Sequence, residues 1–119
     1  MIAVIFEVRP AAARKDDYLG LAAALRRDLE GIDGFISVER FQSLTDPDKL
    51  LSLSFWRDEA AVRAWRNTAR HRDAQQAGRG GIFADYRLRI AAVVRDYGMT
   101  ERAEAPDDSR AVHDDQAAL

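Results

Sequence analysis

The chain contains no cysteine, only two histidines and only three prolines among its 119 residues. The absence of cysteine excludes disulfides, thiolate metal sites and cysteine nucleophiles. No apolar run approaches the roughly 20 residues that a helix needs to span a bilayer. The first ten residues lack the basic segment and the small-residue cleavage site of a secretory signal peptide. These absences favour a cytoplasmic protein without a membrane segment.

Metal and nucleophile sites also lack their sequence signals. A zinc or iron site needs three or four His, Cys or carboxylate ligands. The two histidines, His71 and His113, are not at the spacing of metal ligands. None of the serines lies in the G-x-S-x-G context of a hydrolase nucleophile. The glycine-rich stretch at 78–81 follows a predicted helix and precedes a predicted strand, which is the reverse of a phosphate loop. The sequence therefore predicts neither a protein-ligated metal nor a Ser-His-Asp site.

The formal net charge of −2 is unevenly distributed. Residues 100–119 hold six acids and two bases, net −4, so the remaining 16 bases and 14 acids give the body net +2. Such a body has no basic stripe of the kind that nucleic-acid binding needs. The acidic tail has few large apolar residues and is prone to disorder by composition. We therefore divide the chain into a domain at 1–98 and an acidic tail at 99–119, which lies along its own surface or reaches over a partner subunit.

Hydrophobic periodicity predicts an alternation of strands and helices. Apolar residues at every second position predict strands at 2–9, 35–43, 50–56 and 84–97. An apolar stripe that begins at Tyr18 predicts a helix at 14–30, with Gly31 just after its C-terminus. Asp58 is a predicted N-cap for a helix to about Arg66, and Asn67 or Thr68 is a predicted cap for a further segment to Ala77.

The order β-α-β-β-α-β is that of the ferredoxin-like α+β fold, in which one antiparallel sheet carries both helices on one face. Both faces of the predicted strands are apolar: Ala3 and Ile5 oppose Ile2 and Val4. One face meets the helices, and the other needs a further partner. We therefore predict a homodimer that is built sheet to sheet.

The scarce residues are concentrated in one stretch, because residues 54–75 hold both tryptophans, Trp56 and Trp65, together with His71. Six residues correspond to roughly 600° of rotation on a continuous helix, which would place Trp65 and His71 on different faces. The two side chains converge only if the helix breaks at residues 67–68. Gln75, four residues after His71, would share its face.

Parts of the sequence resemble the antibiotic biosynthesis monooxygenase family. The resemblance lies in SFW at 54–56, DEAAVRAW at 58–65, the histidine six residues after the second Trp, and FADYRLRIAAVVRDY at 83–97. The resemblance covers residues 1 to about 98. It implies a dimeric α/β barrel with a pocket between the sheet and the helices. Some members oxygenate aromatic molecules without flavin, haem or metal: the substrate loses a proton and its anion reduces O₂. The resemblance thus implies a small aromatic or quinol-like substrate, O₂ and no cofactor.

The residue types fit that chemistry. His71 would be the general base near neutral pH. Trp65 is the second candidate catalytic residue. Arg87 or Tyr86 would hydrogen-bond a phenolate oxygen; because they alternate on one strand, at most one of them lines the pocket. The candidate residues that would contact the substrate are Trp56, Phe6, Tyr86 and Gln75.

Each of these residues also has a purely structural interpretation, with Trp56 and Trp65 in the core and His71 on the surface. The corresponding alternative function is a non-catalytic module that binds a small hydrophobic ligand or acts in a stress response. Haem-degrading relatives use an Asn on the first strand and a His about ten residues after the helix Trp. Here the first strand has no Asn, and the tenth residue after Trp65 is Gln75, so the sequence disfavours haem degradation.

Overall fold

The computed structural model describes the backbone of residues 1–117 and the side chains of residues 1–68 and 71–114. The predicted order of elements is confirmed, with the second helical region divided in two. The elements are β1 (Ile2–Pro10), α1 (Lys15–Leu29), β2 (Phe35–Gln42), β3 (Leu50–Trp56), α2 (Glu59–Arg66), α3 (Ala69–Ala77), β4 (Phe83–Ala92) and α4 (Asp107–Ala117).

The four strands form one antiparallel sheet in the order β2-β3-β1-β4, as expected for the ferredoxin-like fold. Side chains alternate between the faces of a strand, so the register shows which residues share a face. Two rows cross the middle of the face that meets the helices. One row is Arg40, Ser52, Phe6 and Leu88, and the next is Val38, Ser54, Val4 and Ile90.

The core consists of two separate clusters that lie at opposite ends of this face. The first cluster contains Leu29, Trp56, Ala61, Val62 and Trp65. The second contains Val8, Tyr18 and Leu50, with Phe6, Ile82 and Phe83 packed against it. The two central rows, which include the small residues Ser52 and Ser54, therefore lie between the packed ends.

The opposite face of the sheet, which we call the outer face, points away from the core clusters that α1 and α2 form with the sheet. It presents partly exposed apolar side chains together with Glu7, which forms ion pairs with Lys49 at 3.2 Å and Arg89 at 3.3 Å. Its apolar members include Ile5, Leu51, Leu53 and Phe55. This pattern agrees with the expected need for a second partner, and the homodimer stays a prediction.

The last strand is shorter than predicted and ends at Ala92 instead of residue 97. Val93 still donates a backbone hydrogen bond to the Met1 carbonyl at 3.0 Å, but β1 begins at Ile2 and offers no partner beyond that point.

The glycine that adopts the left-handed conformation after α1 is Gly34, with φ 87°, and not Gly31, which follows the helix directly. A Cβ at Gly34 would lie 2.6 Å from the Cβ of Ala61, so this turn requires glycine for its conformation and for its contact with α2.

The tail forms the helix α4, although its composition suggested disorder. Arg102 organises it, since this guanidinium donates to the Gly98 carbonyl, to Ser109 Oγ and to Asp114 Oδ1. Two aspartates in the first turn of α4 also suit the positive end of the helix dipole. No helix in the described part of the chain combines the length and apolarity needed to cross a membrane.

Candidate active site

The predicted break between α2 and α3 is confirmed. Asp58 caps α2 by accepting from the Ala61 N–H at 2.9 Å. Thr68 is extended, with ψ 148°, and its Oγ1 accepts from the His71 N–H at 3.3 Å while it donates to the Trp65 carbonyl at 3.0 Å. One threonine thus ends the first helix and begins the second.

The break brings Trp65 and His71 together. Their ring centroids lie 4.9 Å apart and their planes are tilted by 55°. The imidazole is partly buried, and its Nδ1 is fully shielded without a hydrogen-bond partner among the described residues. Burial, followed by the nearby charges of Arg72 and Arg66, lowers the pKa of His71 below 6.5. The ring is therefore neutral at pH 7 and able to accept a proton.

This lowered pKa predicts a pH dependence of stability. The unfolded chain has an ordinary His71 pKa near 6.5, so it takes up a proton first as the solution is acidified. The contribution of His71 is thus fully present above about pH 6.5 and is lost as pH falls towards the lower folded pKa. We expect urea unfolding between about pH 8 and pH 5 to show a steeper loss of stability for the wild type than for His71→Gln. Parallel curves for the two proteins would contradict the buried neutral imidazole.

The two tryptophans have different positions. Trp56 is only 1% exposed, its Nε1 donates to Ser54 Oγ at 2.9 Å, and Phe35 packs edge-on at 5.3 Å. Trp65 is 8% exposed and stacks on Trp56 at 6.4 Å. Trp56 has almost no surface left for a ligand, so we revise its role from a wall of the pocket to a support for Trp65. Trp65 itself is largely core, and it contacts His71 at the boundary of that core.

Phe6 and Tyr86 form a second aromatic group on the same face of the sheet. Their ring centroids lie 5.7 Å apart, and Phe83 packs against both. The Tyr86 hydroxyl accepts a hydrogen bond from Arg79 Nη1 at 2.8 Å. Gln75 is partly buried on α3, and its Oε1 accepts from Arg72 at 2.9 Å.

Arg87 is not brought to this site. It lies opposite Glu7 in the register of β1 and β4, on the outer face of the sheet. Tyr86 and Arg87 point to opposite sides, as expected, and the helices pack on the side of Tyr86. The sequence could not show which face the helices cover, and we no longer place Arg87 in the candidate site.

Sequence reasoning missed the floor of the site. Leu88 is 47% exposed and Ile90 is 40% exposed, although both lie on the face that the helices cover. The helices therefore leave this part of β4 uncovered, and we call the open space above Leu88 and Ile90 the cleft. Its floor is Leu88 and Ile90 on β4, next to Phe6 and Val4 on β1, whose side chains pack against the two core clusters. The alternation of β4 was the available signal, but it does not reveal how far a helix extends over a strand.

The glycine-rich stretch is a tight turn of π type over Gly78–Ile82 and not a simple helix end. Gly81 has φ 131°, and a Cβ at Gly78 would lie 2.3 Å from the ring of Phe83. The turn therefore sets Phe83 against the second core cluster, next to Phe6 and Tyr86. Within the described residues, no three His, Asp or Glu side chains are grouped as metal ligands.

Comparisons with known proteins agree with this fold. The family model described as antibiotic biosynthesis monooxygenase matches residues 1–77. Jasmonate monooxygenase ABM from Pyricularia oryzae is 52% identical over 93 residues, which is 78% of this chain and 43% of that protein. The chain thus spans less than half the length of this curated relative.

Solved structures show the same fold at low identity. Rv0793 from Mycobacterium tuberculosis superposes with a TM-score of 0.74 at 15% identity, over 82% of this chain and 98% of that one. A solved antibiotic biosynthesis monooxygenase gives 0.69 at 18% identity, over 79% and 99% of the two chains. The family model covers well over half of the sequence, and the topology is the one that these structures share. The chain therefore belongs to the antibiotic biosynthesis monooxygenase family.

Proposed function

We propose that the protein is a monooxygenase that needs no cofactor and oxidises a small apolar molecule bound in the cleft. The observation that carries the proposal is the neutral, partly buried His71 against Trp65, together with the uncovered apolar side chains of Leu88 and Ile90 on the same side of the sheet. A base with a lowered pKa in a partly dry site is suited to removing a proton from carbon or oxygen near neutral pH. Membership of the family supports the reaction class.

The chemistry requires a substrate whose anion is stabilised, such as a quinol, an anthrone or a ketone with an acidic C–H bond. His71 accepts the proton, and the resulting carbanion-like anion transfers electrons to O₂. A C–O bond forms to give a hydroperoxide, which loses water and leaves a carbonyl group. One oxygen atom remains in the product and the other leaves as water, so all four electrons come from a carbon that carries two hydrogens, which a quinol presents in its keto tautomer.

The surrounding residues would orient this substrate. Phe6, Leu88 and Ile90 offer an apolar floor, and Trp65 offers the edge of an aromatic ring next to His71. Tyr86 accepts from Arg79, which leaves its own hydroxyl hydrogen free to donate to a developing oxyanion. Gln75, on the same helix as His71, supplies a polar contact beside the base.

The relative from Pyricularia oryzae widens the candidate substrates. Jasmonate is a carboxylic acid with a cyclopentanone ring, whose ketone makes adjacent C–H bonds acidic. At 52% identity over 93 residues, that relative supports a carboxylated apolar ring as a substrate class beside the aromatic and quinol-like molecules.

Oxygen consumption tests the proposal directly. We expect the purified protein, without added flavin, haem or metal, to consume O₂ with at least one member of a panel of anthrones, hydroquinones and jasmonate. Mass spectrometry under ¹⁸O₂ should place one labelled atom in the product. Ligand binding without O₂ uptake across the whole panel would refute the enzyme.

That outcome would support the alternative, a non-catalytic module that binds a small hydrophobic ligand. The alternative is favoured by one observation: the charges that shift the pKa of His71 come from Arg72 and Arg66, and no carboxylate among the described side chains contributes. A catalytic imidazole is often oriented by a carboxylate. Quenching of tryptophan fluorescence measures binding separately from turnover.

We also propose that two copies pair through the outer face. Ile5, Leu53 and Phe55 lie partly exposed on this face, next to the ion pairs of Glu7. Sedimentation equilibrium should give twice the monomer mass, and a monomer at micromolar concentration would contradict the pairing. The division into a domain at 1–98 and a tail at 99–119 that reaches over the partner stays part of this proposal.

A further inference from the structure

Arg79, in the glycine-rich turn, holds a positive charge at one end of the cleft. Its Nη1 donates to the hydroxyl of Tyr86, which lies two residues before Leu88 on the same face of β4. A guanidinium is always charged, and no ion pair of Arg79 is found among the residues whose side chains are described. Arg14, whose guanidinium also lies beside this turn, is paired with Asp17.

An apolar strip leads away from this charge along β4. Tyr86 is 39% exposed, so the uncovered surface of Leu88 and Ile90 extends to its ring. Residues of a strand rise by about 3.3 Å each, so the α-carbons of Tyr86 and Ile90 are about 13 Å apart. Ile90 lies beside Val4, which packs against the core cluster that contains Trp65. The strip therefore runs from a cation and a phenol towards the end of the sheet that carries Trp65.

The hydrogen-bond donors at the charged end suit an anion. The Tyr86 hydroxyl accepts from Arg79 and keeps its own hydrogen to donate, while a guanidinium offers five N–H groups in a planar fork. Phe6 and Phe83 pack on the Tyr86 ring, with centroids 5.7 Å and 5.9 Å away, and so hold its position. Asp85, the carboxylate next to Tyr86 in sequence, lies on the outer face.

We propose that Arg79 and Tyr86 form a carboxylate subsite and that the substrate is a monocarboxylate with an apolar ring. Its carboxylate accepts hydrogen bonds from the guanidinium and the phenol, and its apolar body lies over Leu88 and Ile90. A carboxylate fits better than a phosphate because one guanidinium and one hydroxyl supply few donors for a dianion. In this complex the Tyr86 hydroxyl binds the carboxylate, whereas with an uncharged substrate it is free for the oxyanion. The inference rests on the proposed function, since it selects one substrate class for the same cleft.

The test compares acids with their methyl esters, which share the apolar body and lack the charge. Jasmonate and 1-naphthylacetate, each beside its methyl ester, would be titrated by calorimetry into the wild type and its variants. We expect the wild type to prefer the acids. Arg79→Met should weaken acid binding roughly 10- to 100-fold and leave ester binding unchanged, and Arg79→Lys should recover part of the preference. Tyr86→Phe keeps the ring and should weaken acid binding by a smaller factor, roughly 3- to 10-fold.

Arg63→Met is the matched control, because it removes a cation from the exposed side of α2 and should change neither affinity. Equal weakening of acid and ester in Arg79→Met would overturn the subsite, as would a wild type that binds no acid or binds acids no better than esters. Arg79 is exposed, so Arg79→Met should leave Tm unchanged, and weaker acid binding then reports recognition.

The subsite and the enzyme fail separately. Acid preference that depends on Arg79, without O₂ uptake, would refute the enzyme alone. Turnover of jasmonate with a KM that is indifferent to Arg79→Met would refute the subsite alone.

Discussion

Replacing His71 by glutamine is expected to lower the rate of O₂ consumption by roughly 10²- to 10⁴-fold, the usual contribution of a general base. Glutamine has a similar length and can form hydrogen bonds, but it cannot accept the proton from the substrate. The side chain is only partly buried and its Nδ1 has no partner among the described residues. Stability near neutral pH should therefore change little, and the loss should appear in kcat.

A matched control is available in the same chain. His113 is exposed in the tail, so His113→Gln should leave the rate unchanged. Arg72→Gln provides a second readout, because Arg72 lowers the pKa of His71. Removing this cation should raise that pKa and move the acidic limb of the kcat/KM profile to higher pH. Equal rates for His71→Gln and His113→Gln would exclude His71 as the base.

Replacing Trp56 by alanine is expected to lower the free energy of unfolding by about 3–5 kcal/mol. Trp56 is 1% exposed and contacts Phe35 and Trp65, so alanine would leave a cavity at the centre of the first core cluster. A loss of this size is a large fraction of the roughly 5–15 kcal/mol that a small domain has. Urea unfolding measures it directly.

Trp56→Phe is the control for this change. Phenylalanine keeps most of the apolar volume and loses the 2.9 Å hydrogen bond to Ser54, so it should cost about 1–3 kcal/mol. If Trp56→Ala instead left stability nearly unchanged and weakened ligand binding, Trp56 would be a wall of the pocket, as the sequence first suggested. The two variants therefore distinguish the core role from the ligand role.

The local features of the site could be predicted from sequence. Asp58 and Thr68 both accept hydrogen bonds from backbone N–H groups three residues later, and such caps depend only on neighbouring residues. The break between α2 and α3, on which the contact between Trp65 and His71 depends, followed from these signals. The strand faces followed from alternation for the same reason.

Features that depend on distant pairing could not be predicted. The choice between Tyr86 and Arg87 required the knowledge of which face of β4 the helices cover. The end of β4 at Ala92 depended on where β1 begins, some ninety positions earlier.

The sequence by itself determined the order of elements, the helix break, the family and the identity of the one histidine beside an aromatic cluster. Only the tertiary structure decided that Trp56 is core, that Arg87 faces away, and that Leu88 and Ile90 face the cleft. The physical reason is the range of the interactions. Caps and periodicity act over a few residues, whereas burial results from the packing of segments that are far apart in the chain.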